Sequence, residues 1–164
     1  MITERTGLSE AIIEAYTMEK GQKEFYERAA ENAHEPAARE TFQRLAGWEA
    51  SHMAYLHHFY AALMEEREPL SFEEFSKKVK PDQIEGGMPV RVTEDWLKSY
   101  FFIDELGALA VALKIEADTI VYYNKLAERI QDPQVKVIIQ ELGRLEDEHL
   151  KVLKDLRMKI EETS

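Results

Sequence analysis

Displaced by 97 residues, the chain aligns with itself without a gap from Ala11 to His57. Ala11 falls on Ala108, Ala15 on Ala112, Glu19 on Glu116, Tyr26 on Tyr123, Ala30 on Ala127 and Glu31 on Glu128. Pro36 then falls on Pro133, Gln43 on Gln140, Leu45 on Leu142, Glu49 on Glu146, His52 on His149 and Leu56 on Leu153. These are 12 identities in 47 positions. Two unrelated helical segments of this composition would share about 3 to 5, because few residue types dominate helices. The repeat reads as a duplicated unit, so the two halves must fold alike.

The repeated unit is a helical hairpin. From about Ser9 to Asn32, apolar residues such as Ile12, Ala15, Tyr16, Phe25, Tyr26 and Ala29 recur near three- and four-residue spacing, with Ser9 as the expected N-cap. A second helix is expected from about Pro36 to Glu66, a third from Asp104 to Ile130 and a fourth from Pro133 to Glu162. The turns near His34-Glu35 and Gln131-Asp132 are short, which makes each helix pair antiparallel. The composition agrees, with many Glu, Lys, Leu and Ala and only 7 Gly and 5 Pro. Between the hairpins, residues 67–103 hold Pro69, Pro81, Pro89 and Gly86-Gly87. Ser71-Phe72-Glu73-Glu74 there resembles a capping box, and Thr93 is a second candidate cap. A connection of this length can travel the length of a bundle. The expectation is one all-α domain over residues 1–164: hairpin 9–66, crossover 67–103, hairpin 104–162.

A net charge of −11 disfavours nucleic acid and anionic membranes as partners. The absence of cysteine excludes disulfides, thiolate zinc sites, iron–sulfur clusters and rubredoxin-type iron. No apolar signal region opens the sequence and no stretch of about 18 apolar residues occurs, so a soluble, cytoplasmic protein is expected.

One set of repeat matches carries chemistry. Each half offers a Glu on its first helix and Glu-x-x-His on its second: Glu19 with Glu49 and His52, and Glu116 with Glu146 and His149. Residues three apart share a helix face, so each Glu and its His point together. Glu19 and Glu49 lie equally far in sequence from the turn at His34, at about 22 Å along their helices, and Glu116 and Glu146 have the same relation to Gln131. Two such hairpins packed face to face bring four carboxylates and two imidazoles together. Desolvating that many charges costs several kcal/mol each unless cations compensate. Two divalent ions balance four carboxylates, and mixed imidazole and carboxylate suits iron or manganese. Four Glu and two His is also the ligand set of ferritin-like di-metal bundles. The alternative is a solvated helix face. A single Glu-x-x-His is expected by chance in so Glu-rich a chain, but two in register with paired glutamates are not.

The pairs Met18-Glu19 with Phe25-Tyr26, Glu49-x-x-His52, Ile115-Glu116 with Tyr122-Tyr123 and Glu146-x-x-His149 carry a resemblance to the rubrerythrin branch of the ferritin-like superfamily, over nearly the whole chain. The resemblance implies a ferritin-like four-helix bundle with a di-iron site. Glu49 and Glu146 would bridge the ions; Glu19, Glu116, His52 and His149 would be terminal ligands. It implies an oxidoreductase acting on hydrogen peroxide or dioxygen, an external electron donor such as rubredoxin, and a homodimer. A ferroxidase or iron-handling role, or non-redox metal binding, is the competing function. Two departures stand out. The chain has no rubredoxin domain, and the family's extra glutamate one turn after the third-helix ligand is here Thr119, whose repeat mate is Gln22.

Tyr26 and Tyr123, seven residues after Glu19 and Glu116, are candidate catalytic residues. Either each phenol bonds a ligand carboxylate and fixes its orientation, or each is a core tyrosine bonded elsewhere. Gln22 and Thr119, one turn beyond Glu19 and Glu116, either hydrogen-bond a ligand or a bound oxygen species or simply pack. His34, His57 and His58 read as ordinary surface or interface residues, and Met18, Trp48 and Met53 as core.

Overall fold

The computed structural model describes residues 5–78 and 104–163. Four long helices form two hairpins, α1 (Arg5–Asn32) with α2 (Pro36–Met64) and α4 (Glu105–Arg129) with α5 (Pro133–Thr163). A short helix α3 (Phe72–Lys78) packs on α2. This is the all-α arrangement of two hairpins and a crossover that the repeat predicts. The candidate cap Thr93 and residues 79–103 of the crossover lie outside the described residues.

Ser9 is not a cap. The helix already runs at Arg5, and Ser9 is buried inside it. Leu8, packed against the core, gives the upstream turn an apolar contact that favours continuing the helix. The other signals act as expected. Pro36 occupies the first turn of α2. The Asp104 carboxylate accepts from Gly107 N–H at 2.9 Å and caps α4. Asp132 caps α5 through Gln134 N–H at 2.9 Å. At α3, Ser71 Oγ accepts from Glu74 N–H at 3.2 Å, while the Glu74 carboxylate bonds the Ser71 hydroxyl.

Cross-hairpin bonds fix the helix directions. Tyr26 meets Glu116 and Tyr123 meets Glu19, so α1 and α4 run antiparallel. His52 meets Glu146 and His149 meets Glu49, so α2 and α5 do too. It follows that α2 and α4 point the same way. The chain must therefore return the length of α2, about 43 Å for 29 residues, before α4 begins. Where it arrives, the Glu105 carboxylate accepts the backbone N–H groups of His34 and Glu35, tying the start of α4 to the first turn. Glu35 itself makes no side-chain cap.

The apolar core is in two parts. One is built from the N-terminal halves of α1 and α5 and the C-terminal halves of α2 and α4, including Ile12, Tyr55, Leu56, Phe59, Leu126, Ile139 and Leu142. The other uses the opposite halves, including Phe25, Phe42, Leu45, Leu109, Leu153 and Leu156. Between them, at mid-helix on all four helices, lies a buried polar layer: Glu19, Gln22, Glu49, His52, Glu116, Thr119, Glu146 and His149. Gly143 lets α5 come close to α4, since a β-carbon there would lie 3.3 Å from Tyr123 Cβ.

Candidate metal centre

All six residues singled out by the repeat meet in this layer. Glu19, Glu49, Glu116 and Glu146 have 0% of their surface exposed, and His52 and His149 have 2%. Ligand-capable atoms of Glu19, Glu49, His52 and Glu146 lie within 4.8 Å of one another, and so do those of Glu49, Glu116, Glu146 and His149. Glu49 and Glu146 belong to both sets. Of these two sets, Glu19 and His52 belong only to the first and Glu116 and His149 only to the second, while His52, Glu146 and His149 form a third, three-residue group that spans them. The geometry keeps the symmetry of the repeat: His52 Nδ1 lies 2.9 Å from Glu146 Oε1, and His149 Nδ1 lies 3.0 Å from Glu49 Oε1.

The tyrosines complete the symmetry by crossing it. Tyr26 donates to Glu116 Oε1 at 2.6 Å, and Tyr123 donates to Glu19 Oε1 at 2.6 Å. Each phenol thus orients the glutamate of the other hairpin rather than of its own helix. Burial, and then Glu116 for Tyr26 and Glu19 for Tyr123, pushes both phenols well above the ordinary range, so both stay protonated donors.

The carboxylates are not otherwise satisfied. Glu19 Oε2, both oxygens of Glu49, Glu116 Oε2 and Glu146 Oε2 are buried without a hydrogen-bond partner. Protons share the load. Burial, reinforced by Glu146 and Glu19, raises the Glu49 carboxyl well above the carboxylate range. Burial, with Glu19 and Glu116, does the same to Glu146. Burial acts to raise Glu19 as well, but the protonated Glu49 carboxyl beside it and the adjacent His52 outweigh it and hold Glu19 low. Glu116 is likewise held low, against burial, by His149 and Glu146. Burial would lower both imidazoles, yet Glu19 and Glu146 raise His52 to about 9. Glu116 and Glu146 raise His149 to about 10. Metal-free, protons held by Glu49, Glu146 and the two imidazoles offset the charge of the buried carboxylates.

Four buried carboxylates with five oxygens in no hydrogen bond, set among two imidazoles in overlapping ligand groups, fit a pair of divalent cations. The donor set is hard oxygen and imidazole. The buried cluster is consistent with a ferritin-like di-metal site.

Several contacts were not foreseen from sequence. The His52 and His149 rings stack 5.1 Å apart, Trp48 stacks on His149 at 5.2 Å, and the edge of Phe72 meets His52 at 5.5 Å. Trp48 is half-buried and packs against the core, as expected, while its ring also covers His149. Gln22 Nε2 donates to Thr119 Oγ1, closing the α1–α4 side. The one signal for that pairing was the repeat, which makes Gln22 and Thr119 mates. His58 is structural: its Nε2 accepts from Leu70 N–H at 2.9 Å and its ring stacks on Phe75. No helix among the described residues is long and apolar enough to cross a membrane.

Comparison with protein-family models, curated proteins and solved structures gives no match to this chain.

Proposed function

We propose that the chain is a di-iron carboxylate oxidoreductase. Its Glu19, Glu49, His52, Glu116, Glu146 and His149 hold two ions, and it reduces hydrogen peroxide or dioxygen. The observation that carries this reading is that Glu49 and Glu146 each belong to both four-residue sets of potential ligands. A pair of carboxylates common to both sets is what two adjacent cations need, and a lone structural cation would need only one set. Iron is preferred to manganese by the resemblance described above.

Two reduced iron ions, when bound, supply one electron each, which matches the two electrons that convert hydrogen peroxide and two protons into two waters. The protein's part is to hold and insulate the pair. Glu49 and Glu146 bring negative charge from opposing hairpins to the centre, Glu19 with His52 and Glu116 with His149 flank it, and the two phenols keep the flanking carboxylates from turning. Apolar clusters above and below keep water out. With no cysteine in the chain, electrons come from an external donor.

The test is elemental analysis of protein isolated without added metal and after anaerobic reconstitution, followed by stopped-flow oxidation. Two ions per chain, and oxidation of the ferrous form by peroxide or dioxygen, are expected. Absence of bound iron, manganese and zinc after reconstitution would sink the reading. Metal uptake without any oxidation would reduce it to structural binding.

A further inference from the structure

Along the α1–α4 seam the polar residues come in three levels. Glu19 pairs with Tyr123, Gln22 with Thr119, and Tyr26 with Glu116. The Gln22–Thr119 pair is therefore the middle level, bracketed by the two tyrosine–glutamate bonds. It is carried by α1 and α4, whereas the stacked imidazoles are carried by α2 and α5. Thr119 has committed its hydroxyl hydrogen to Ile115 O at 2.8 Å, so toward Gln22 it acts as acceptor. That fixes the amide: Nε2 points to Thr119, and Oε1 is turned away from it. Gln22 has 0% of its surface exposed, and its Oε1 has no hydrogen-bond partner. A buried amide oxygen without a donor is destabilising, and the lost hydrogen bond is recovered when a donor enters.

We propose that Gln22 determines specificity for hydroperoxides: its Oε1 accepts the O–H hydrogen of a hydrogen peroxide molecule bound on the α1–α4 side of the site. This rests on the oxidoreductase reading and deepens it by choosing between the two oxidants. Dioxygen has no hydrogen to donate, so it gains nothing from Oε1, whereas hydrogen peroxide does. A site with a fixed acceptor favours the ligand that satisfies it. In the reaction served, the O–O bond of hydrogen peroxide breaks, two electrons come from the reduced ions and two protons from solvent, and two waters leave. Gln22 itself is neither oxidised nor deprotonated. It positions the ligand, and Thr119 positions Gln22.

The test uses full-length Gln22→Met and Thr119→Val beside wild type. Metal-free Gln22→Met, which replaces the orphaned oxygen by an apolar group of similar length, is expected to melt about 2 to 4 °C higher than wild type. In iron-loaded protein of equal metal content, the ratio of the rate constants for hydrogen peroxide and for dioxygen is expected to fall about tenfold, the worth of one hydrogen bond. Thr119→Val frees the amide without removing it, and the same ratio is expected to fall about threefold. A lower melting temperature for Gln22→Met would make the amide a packing element and overturn the inference. So would an unchanged ratio in both variants, even with wild type fully active. Failure of reduced wild type to react with either oxidant would instead remove the oxidoreductase reading, and this inference with it.

Discussion

The imidazoles of His52 and His149 lie face to face, 5.1 Å between ring centres and 10° from parallel. Two stacked imidazoles that both carry protons repel each other, yet the surrounding carboxylates raise them to about 9 and about 10. The stack is stable because the ionised Glu19 beside His52 and the ionised Glu116 beside His149 outweigh the mutual repulsion. That balance sets the pH behaviour of the protein with and without metal.

In the metal-free protein, stability should be greatest in mildly acid solution. Glu49 and Glu146 hold protons in the folded state that they lose when unfolded, so stability falls as pH rises above the ordinary glutamate range. His52 and His149 add a further loss from the ordinary histidine value of 6.5 up through about 9 and about 10. Glu19 and Glu116, held low, contribute stability that disappears only in stronger acid. Thermal melts of chelator-treated protein should give a higher Tm at pH 5 than at pH 8. Equal values would mean solvated carboxylates.

Loading two divalent ions at neutral pH should release about four protons per chain, one each from Glu49, Glu146, His52 and His149. The charge brought in equals the charge expelled. Calorimetric titration with manganese or zinc in buffers of different ionisation enthalpy counts the protons, and a count near zero would contradict the protonation pattern.

Tyr123→Phe leaves Glu19 Oε1 without its donor at 2.6 Å. Metal affinity should fall about 10- to 100-fold, since outer partners orient ligands. Chelator competition measures this. Tyr26→Phe should act equally through Glu116, because the two bonds are symmetric.

Glu105→Ala removes the acceptor for the His34 and Glu35 N–H groups, and a cost of about 1 to 3 kcal/mol follows. Burial opposes ionisation of Glu105, but backbone N–H groups of Glu105, Glu35 and His34 win and hold it low. Its stabilising effect should therefore persist above the ordinary glutamate range and vanish as pH falls below it. Urea unfolding of wild type and Glu105→Gln at pH 7 and pH 3 should show a gap at the first that narrows at the second.

The hairpins, their turns and the common height of the ligand candidates were legible because each rests on local periodicity or on counting residues along a helix. The repeat then supplied what local pattern could not, the register between hairpins. It also held the signal for the crossed tyrosine bonds. Under antiparallel pairing of α1 with α4, a tyrosine seven residues beyond one glutamate falls opposite the other. The Phe72 and Trp48 contacts with the imidazoles were not legible, because they join residues by side-chain approach between elements and carry no period of their own. Ser9 misled because a capping residue is recognised by what precedes it, and Leu8 gives the helix reason to start earlier.

The crossed bonds have a consequence for ancestry. Tyr26 reaches Glu116, Tyr123 reaches Glu19, and each imidazole reaches the glutamate of the opposite hairpin. These are the paired contacts of an isologous interface, in which a patch meets its own copy across a two-fold axis. A single hairpin pairing with another of itself would have made the whole constellation from three ligands and one tyrosine. In that light the crossover is a tether added to a dimer. At Gln22 and Thr119 the two halves keep matching positions but not matching residues, and there the two-fold relation gives way to a donor facing an acceptor.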